Sequence, residues 1–159
     1  MMIKKIKSYL GLDRTMKLFL IEAYFYLGWA RILKKMPFVK IAPSLGEHMM
    51  ETTYDTNDND KRTLYNVSQA IHMMSRYTFW ESQCLVKAIA AMKMLEKREI
   101  ESTLYLGAGK DDHGAFTAHA WLRSGPYYIS GSDGMENFTV VSKFAKKNSL
   151  KHLEGENYG

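Results

Sequence analysis

The hydrophobic periodicity of this 159-residue chain changes once, and that change restricts the possible folds more than any other feature. Up to about residue 98, apolar residues recur at steps of three and four, which predicts helices. From about residue 100, they alternate with polar residues, which predicts short strands. Helices followed by antiparallel strands are typical of the α+β class. We therefore expect a single domain over residues 1–159, with a helical and loop part over 1–60 and a functional core over 61–145.

The first predicted helix contains the longest apolar stretch of the chain, Met16 to Leu33. Asp13 is placed to cap a helix over residues 14–35. A membrane span needs about twenty residues nearly free of charge, whereas this stretch contains Glu22 and Arg31. We therefore expect a helix that is buried against the domain. The residues on one side of this helix at helical spacing are Leu18, Ile21, Phe25, Gly28 and Ile32.

Two segments lack periodicity and are predicted to be loops, namely residues 38–60 and the Gly- and Asp-rich segment 107–114. Phe138 to Phe144 fits either a short strand or a helix, and the polar tail from Lys146 is expected to fray. Further helices are predicted from Asn59 or Asp60 to Tyr77 and from about Gln83 to Arg98, and strands at Ile100–Leu106, Phe116–Arg123 and Tyr127–Ser130.

Charge and cysteine content exclude several classes of function. The formal net charge is +5, but no run of like charges gives the clustered basic face of a nucleic-acid-binding protein. A single cysteine excludes an internal disulfide framework and a Cys-rich zinc site. Residues 1–10 lack the apolar core of a secretory signal. We expect a cytoplasmic protein with no metal ion, no cofactor, and neither nucleic acid nor a membrane as its partner.

Cys84, His119 and Asp133 are the candidate catalytic residues. Ser82 is placed to cap the third helix, so that Cys84 lies in the first turn, where unpaired N–H groups favour a thiolate nucleophile. His119 lies in a predicted strand, and Asp133 lies just past the strand that pairs with it. Antiparallel neighbours are about 5 Å apart, so a carboxylate there could orient the imidazole that exchanges protons with the thiol.

Each of these residues also has a structural interpretation. A lone cysteine is usually a small core residue, and a histidine between apolar neighbours can be a satisfied core group. Asp133 precedes Gly134 and fits an ordinary turn. The order of the three on a helix, a strand and a hairpin end favours catalysis more than any one of them alone.

Other polar groups are weaker candidates. His113 lies with Asp111 and Asp112 in a predicted loop, where three short ligands make a poor metal cage. The segment Gly107–Lys110 resembles a phosphate cradle only loosely, because the closing Gly-Lys-Ser/Thr pattern is missing. The remaining histidines, which show no ligand spacing, are His48, His72 and His152.

The most specific motifs are Cys84-Leu85 at a predicted helix start and Ala118-His119-Ala120-Trp121 in a predicted strand. They belong to the segments Ser82–Ala88 and Phe116–Leu122, with Leu104–Gly107 between them. Together these segments resemble the lasso peptide B2 proteins, the leader peptidases of lasso peptide biosynthesis in the transglutaminase-like superfamily. The likeness is close over residues 80–144.

The resemblance implies a papain/transglutaminase-like α+β fold and a cysteine peptidase that uses no cofactor. Cys84 would be the nucleophile and His119 the general base and acid. Asp133 would be the orienting acid, with Glu136 as a competing carboxylate. Backbone N–H groups near Cys84 would form an oxyanion hole, helped by Gln83. The implied reaction cleaves the leader from a lasso peptide precursor and frees the core N-terminus for macrocyclisation.

The resemblance also implies partners. They are the precursor peptide, a separate leader-binding protein (a RiPP recognition element) and the ATP-dependent lasso cyclase. Two alternatives remain at this point. A transglutaminase-like acyl transferase would use the same residues to pass the acyl group to an amine. A non-catalytic peptide-binding scaffold would need no reactive thiol at all.

Overall fold

The computed structural model describes residues 2–78 and 83–148, which form helices packed on one antiparallel sheet. The α+β prediction is therefore confirmed. The helices in this part of the chain are α1 (Met2–Leu10), α2 (Arg14–Lys34), α3 (Phe38–Leu45), α4 (Asp58–Ser75) and α5 (Cys84–Glu96). The strands are β1 (Glu47–His48), β2 (Ser102–Lys110), β3 (Phe116–Ser124), β4 (Tyr127–Ser130) and β5 (Thr139–Lys146), and a short 3-10 helix (Met135–Asn137) precedes β5.

The five strands lie in the order β1-β5-β2-β3-β4, and every neighbouring pair is antiparallel. β2 and β3 form the central hairpin, in which His119 lies opposite Gly107. β4 pairs only with the second half of β3, from Leu122 to Ser124. The first half of β3 therefore has no β4 residue beside it, and the chain that follows β4 is free to turn towards His119.

The core lies between the sheet and the helices α2, α4 and α5, with α5 in contact with both other helices and with β2, β3 and β4. Small residues on α5, such as Ala88, Ala90 and Ala91, are fully buried and let its backbone approach its neighbours closely. Larger side chains such as Ile89 and Leu95 fill the spaces between them. Each such side chain stabilises the fold by about 1.5–3 kcal/mol through burial.

Hydrogen bonds from Arg123 hold the loop before α4 against the sheet, on the face that does not pack on α5. The Arg123 side chain is 1% exposed and donates hydrogen bonds to the carbonyl oxygens of Thr52 and Thr53 at 3.0 and 3.1 Å. Its Nε also donates to the Tyr105 hydroxyl at 2.9 Å. Burial raises the pKa of Tyr105, and the hydroxyl donates in turn to Glu51, so this phenol stays neutral. Within this network, the Arg123 guanidinium and the Tyr105 hydroxyl both have hydrogen-bond partners.

α2 packs against the domain, as expected, but through a different face from the one that periodicity picked out. Within residues 2–78 and 83–148, no helix is long and apolar enough to cross a membrane. The predicted apolar side faces outward, since Leu18, Phe25 and Ile32 are 68%, 69% and 65% exposed. The buried residues of α2 are Phe19, Leu20, Ala23, Leu27 and Ala30.

The predicted loop over residues 38–60 was wrong at its start, because α3 occupies Phe38–Leu45. Pro43 lies inside this helix, although proline normally disfavours a helix interior. Ile41 and Leu45 are four residues apart and both buried, so tertiary packing holds the short helix in spite of the proline.

The predicted loop over residues 107–114 was also too long, because β2 continues to Lys110. Glycine is needed inside this strand. A Cβ at Gly107 would lie 2.8 Å from both Phe138 Cβ and Trp121 Cζ3, so its absence lets these aromatic residues pack across the strand. The glycines are thus explained by packing and form no phosphate cradle.

The remaining boundaries differ from the predictions by a few residues. α4 begins at Asp58, where the Asn57 side chain accepts a hydrogen bond from the N–H of Asn59. The segment 138–144 belongs to a strand, one of the two forms expected for it, and Lys146 is its last residue instead of the start of a frayed tail. Residues 149–159 lie outside the described part of the chain.

Candidate active site

A cavity of about 430 Å³ opens where α4 and α5 meet β3 and the segment that follows β4. Cys84, His119 and Asp133 all line it. The structure thus brings the three predicted site residues to one place from three separate parts of the chain. The other lining residues are Ser68, Gln69, Ile71, His72, Lys87, Tyr128, Ile129, Ser130, Gly131 and Ser132.

Cys84 is the first residue of α5 and is half-buried. Gln83 occupies the N-cap position, and its side chain makes no capping hydrogen bond to the helix. Ser82, which was predicted to be the cap, lies outside the described residues. The thiol therefore lies at the positive end of a 13-residue helix, where the first-turn N–H groups lack partners within the helix. Such N–H groups stabilise a negative charge on an oxygen that is bound beside the thiol.

His119 lies in the first half of β3 and is also half-buried. Its Nε2 is 2.6 Å from the carbonyl oxygen of Gly131. Because a carbonyl can only accept, Nε2 must carry the proton and donate it. In the neutral ring, Nδ1 then has a free lone pair and can take a proton from a thiol.

Aromatic rings restrict the orientation of this imidazole further. The ring centroid of Trp121 lies 5.8 Å from that of His119, and the centroid of Phe138 lies 5.1 Å away. The imidazole is therefore held by one hydrogen bond and by contacts with two rings. Gly107 makes this arrangement possible, since it leaves the space that both aromatic residues occupy.

Gly131 is the residue that brings the carbonyl to His119. Its φ of +74° lies in the left-handed region, which only glycine adopts readily. A Cβ at this position would also overlap the carbonyl oxygen of Ala120 in β3. Both constraints follow from the sharp departure of the chain from β4, and both require glycine here.

The role predicted for Asp133 stays a prediction. Asp133 is exposed at the cavity, and in the described part of the chain His119 Nε2 donates its hydrogen bond to the Gly131 carbonyl instead. Glu136, the competing carboxylate, lies in the 3-10 helix and is not among the residues that line the cavity. Within residues 2–78 and 83–148, Cys84 and His119 share the cavity without a hydrogen bond between them.

Two residues that line the cavity, a lysine and a histidine, were not predicted from the sequence to lie there. Lys87 follows Cys84 by three residues on α5, so helical spacing could have identified it as a neighbour. His72 comes from α4, and only the packing of α4 on α5 brings it to the cavity. No local pattern marks such a residue.

The polar groups that were weaker candidates in the sequence include Asp111 and His113, and the structure gives Asp111 a structural role. Asp111 accepts hydrogen bonds from the N–H groups of His113 and Ala115, which closes the turn of the central hairpin. Over residues 2–78 and 83–148, no group of three or more His, Cys, Asp or Glu side chains is arranged to hold a metal ion. His152 lies outside the described residues.

Comparison with known proteins places the chain in a family. Neither the curated proteins nor the solved structures contain a significant match to it. The family model described as "Transglutaminase-like superfamily" matches residues 27–143, which include Cys84, His119 and Asp133 together with the cavity. That match spans well over half of the sequence, and the chain belongs to the transglutaminase-like superfamily.

Proposed function

We propose that this protein is a cysteine peptidase that cleaves the leader from a lasso peptide precursor. Membership of the transglutaminase-like superfamily supports thiol-based acyl chemistry in general. The observation that carries the proposal is the His119 geometry. Its Nε2 proton is held by Gly131, which leaves Nδ1 to serve a thiol in the same cavity, at the start of α5. The lasso peptide assignment rests on the motifs around Cys84 and His119.

In the proposed reaction, His119 Nδ1 takes the proton of Cys84, and the thiolate attacks the carbonyl carbon of the scissile bond. First-turn N–H groups of α5 stabilise the oxyanion that forms. The imidazolium then protonates the departing amine, which is the N-terminus of the core peptide. A water molecule, deprotonated by His119, hydrolyses the acyl-enzyme and releases the leader as a carboxylate.

Asp133 contributes charge to this scheme. The Gly131 carbonyl fixes the tautomer of His119, and the Asp133 carboxylate adds a negative charge to the same cavity. We expect Asp133→Asn to lower kcat/KM by about tenfold, which is far less than the roughly 10⁴-fold loss for a carboxylate bonded directly to the histidine. A loss of about a thousandfold or more would show that Asp133 bonds to His119 when substrate is present.

The nucleophile is tested with Cys84→Ala. We expect this variant to lose cleavage of the precursor by about 10⁴-fold or more, because no other thiol exists in the chain. Release of leader is followed by mass spectrometry in the presence of the proposed leader-binding protein. Thermal unfolding of the variant serves as the control for folding. Cleavage at the rate of the unmodified protein would overturn the proposal.

The same assay in heavy-oxygen water separates hydrolysis from acyl transfer. A peptidase incorporates the heavy oxygen into the new carboxylate of the leader. An acyl transferase instead joins the leader to an added amine as an amide, so no new carboxylate forms and no heavy oxygen is incorporated. A scaffold without catalysis gives neither product, and its Cys84 would react with iodoacetamide no faster than an ordinary thiol.

The proposed partners are the leader-binding protein and the ATP-dependent cyclase. The resemblance to the lasso peptide B2 proteins supports a substrate that is presented by a separate protein. We expect the leader-binding protein to lower KM for the precursor more than it changes kcat, since it presents the peptide and takes no part in the chemistry. An equal rate with and without it would contradict this part of the proposal.

A further inference from the structure

The charge of the cavity is distributed unevenly. Lys87 lines it one helical turn after Cys84, is half-buried, and forms no ion pair among the described residues. Among the lining residues that the structure describes, Asp133 is the only carboxylate, and it is exposed in the segment after β4. A half-buried ammonium group without a counter-charge is a ready partner for an anion.

His72 lines the cavity from α4 and adds a hydrogen-bond donor to it. Its Nε2 is 2.9 Å from a guanidinium nitrogen of Arg76, one turn later on α4. Since guanidinium can only donate, Nε2 is the acceptor, and the proton of the neutral ring sits on Nδ1. His72 therefore offers an N–H donor, and the cation of Arg76 lies directly behind it. Arg76 forms no ion pair with any described residue.

Ser130 supplies an unsatisfied donor in the same cavity. Its hydroxyl oxygen is buried and has no hydrogen-bond partner in the described part of the chain, yet the residue lines the cavity. Buried hydroxyl groups are normally paired, so an unpaired one beside an open cavity marks a place for a ligand acceptor. Lysine, histidine and serine donors around one space are the set that a carboxylate oxygen pair would satisfy.

We propose that this cavity binds a carboxylate side chain of the peptide substrate, held by Lys87 and by the His72–Arg76 pair. The inference rests on the proposed function and adds a substrate class to it, namely peptides with Asp or Glu near the scissile bond. Lys87 and His72 act as specificity-determining residues, and the chemistry stays with Cys84 and His119.

Because Cys84 is the only cysteine of the chain, its modification rate measures the charge of the cavity without any peptide substrate. The probes are two methanethiosulfonate reagents, one with an anionic sulfonatoethyl group and one with a cationic trimethylammonioethyl group. Each rate is divided by the rate for a small free thiol. Any change in the thiolate population affects both reagents equally and cancels in the ratio.

We expect the normalised ratio to favour the anionic reagent by about fivefold or more at low salt, and to fall towards one as salt is added. Lys87→Met should remove most of the preference, and Lys87→Glu should reverse it. The matched control is Lys97→Met. Lys97 is exposed and lies at the far end of α5, about 20 Å from Cys84, so this change should leave the ratio unchanged. A ratio near one in the unmodified protein, or equal ratios for Lys87→Met and the unmodified protein, would overturn the proposal.

These outcomes are separate from those of the peptidase assay. If Cys84→Ala loses cleavage but the unmodified protein gives a reagent ratio near one, the peptidase proposal stands and the carboxylate site is removed. A clear anionic preference in a protein that cleaves no peptide would keep the anion site and remove the peptidase. Where cleavage is observed, replacing Glu by Gln near the scissile bond should lower kcat/KM by about fivefold or more. Indifference to that replacement would overturn the substrate class.

Discussion

α5 and α2 pack against each other and are both rich in apolar residues, but they bury them to different extents. α5 is buried on most of its surface, from Val86 to Leu95, and only its first turn reaches the cavity. α2 is buried along one side and leaves Leu18, Phe25 and Ile32 more than half exposed on the other. An apolar helix can therefore be a core element throughout, or present one face for contact with something else.

The difference comes from the neighbours of each helix. α5 has the sheet on one side and α2 and α4 on the others, so small alanines at its contacts are favoured. α2 packs against α4 and α5, and in the described part of the chain several apolar side chains on its other side are exposed. Its outer stripe, defined as Leu18, Ile21, Phe25, Trp29 and Ile32, is an apolar surface of the kind that marks interaction sites.

Replacing an isoleucine on each helix gives the largest expected contrast. Ile89 on α5 is fully buried, so Ile89→Ala should lower the free energy of unfolding by about 2–5 kcal/mol. Ile32 belongs to the outer stripe, so Ile32→Ala should change the free energy of unfolding by less than about 0.5 kcal/mol. Urea denaturation of both variants measures this. A similar loss for both would mean that the stripe is covered in solution.

The ion pair between the two helices should have a smaller effect. Glu22 on α2 bonds to Arg98, just past α5, with N–O distances of 2.7 and 2.8 Å. Burial alone would raise the pKa of Glu22, but the hydrogen bond and charge of Arg98, with Lys97, outweigh it and lower the pKa below 4.5. A lowered carboxyl pKa gives stability that is present above the unfolded value and is lost as the pH falls through the folded value.

Glu22→Gln should therefore lower the free energy of unfolding by about 1–3 kcal/mol near neutral pH. The difference from the unmodified protein should shrink as the pH falls below about 4, because the unfolded chain then binds a proton at Glu22 and the folded protein does so only at lower pH. Denaturation across this pH range measures both. The control is Asp112→Asn, an exposed hairpin residue without an ion pair in the described part of the chain. A pH-independent difference would show that the ion pair contributes nothing.

The contrast also separates what sequence could predict from what it could not. The existence of α2 and α5, the position of Cys84 in the first turn of α5 and the strand that holds His119 follow from local spacing and turn residues, and these predictions agree with the structure. Local spacing also placed four of the five residues of the outer stripe on one side of α2, with Gly28 predicted there instead of Trp29. It could not tell which side of α2 is buried, because both sides are apolar and only the position of α5 decides.

The candidate site divides in the same way. Cys84 and His119 were found from their local motifs. The hydrogen bond from His119 to Gly131 was not predicted, since a backbone carbonyl has no sequence signature and the sequence drew attention to the carboxylate of Asp133. His72 was missed because tertiary packing alone brings it to the cavity.

The smallest expected effect on stability comes from Phe25 of α2, and Phe19 of the same helix provides a matched control. Phe25→Ser changes a residue that is 69% exposed, so unfolding should shift by less than about 0.5 kcal/mol. Binding of an apolar dye to the native protein should fall, because the stripe loses its most prominent ring. Phe19→Ser, on the buried side, should instead destabilise the fold by several kcal/mol, about as much as other truncations of a core phenylalanine. If Phe25→Ser proved as damaging as Phe19→Ser, both faces of α2 would be buried in solution, and the distinction from α5 would disappear.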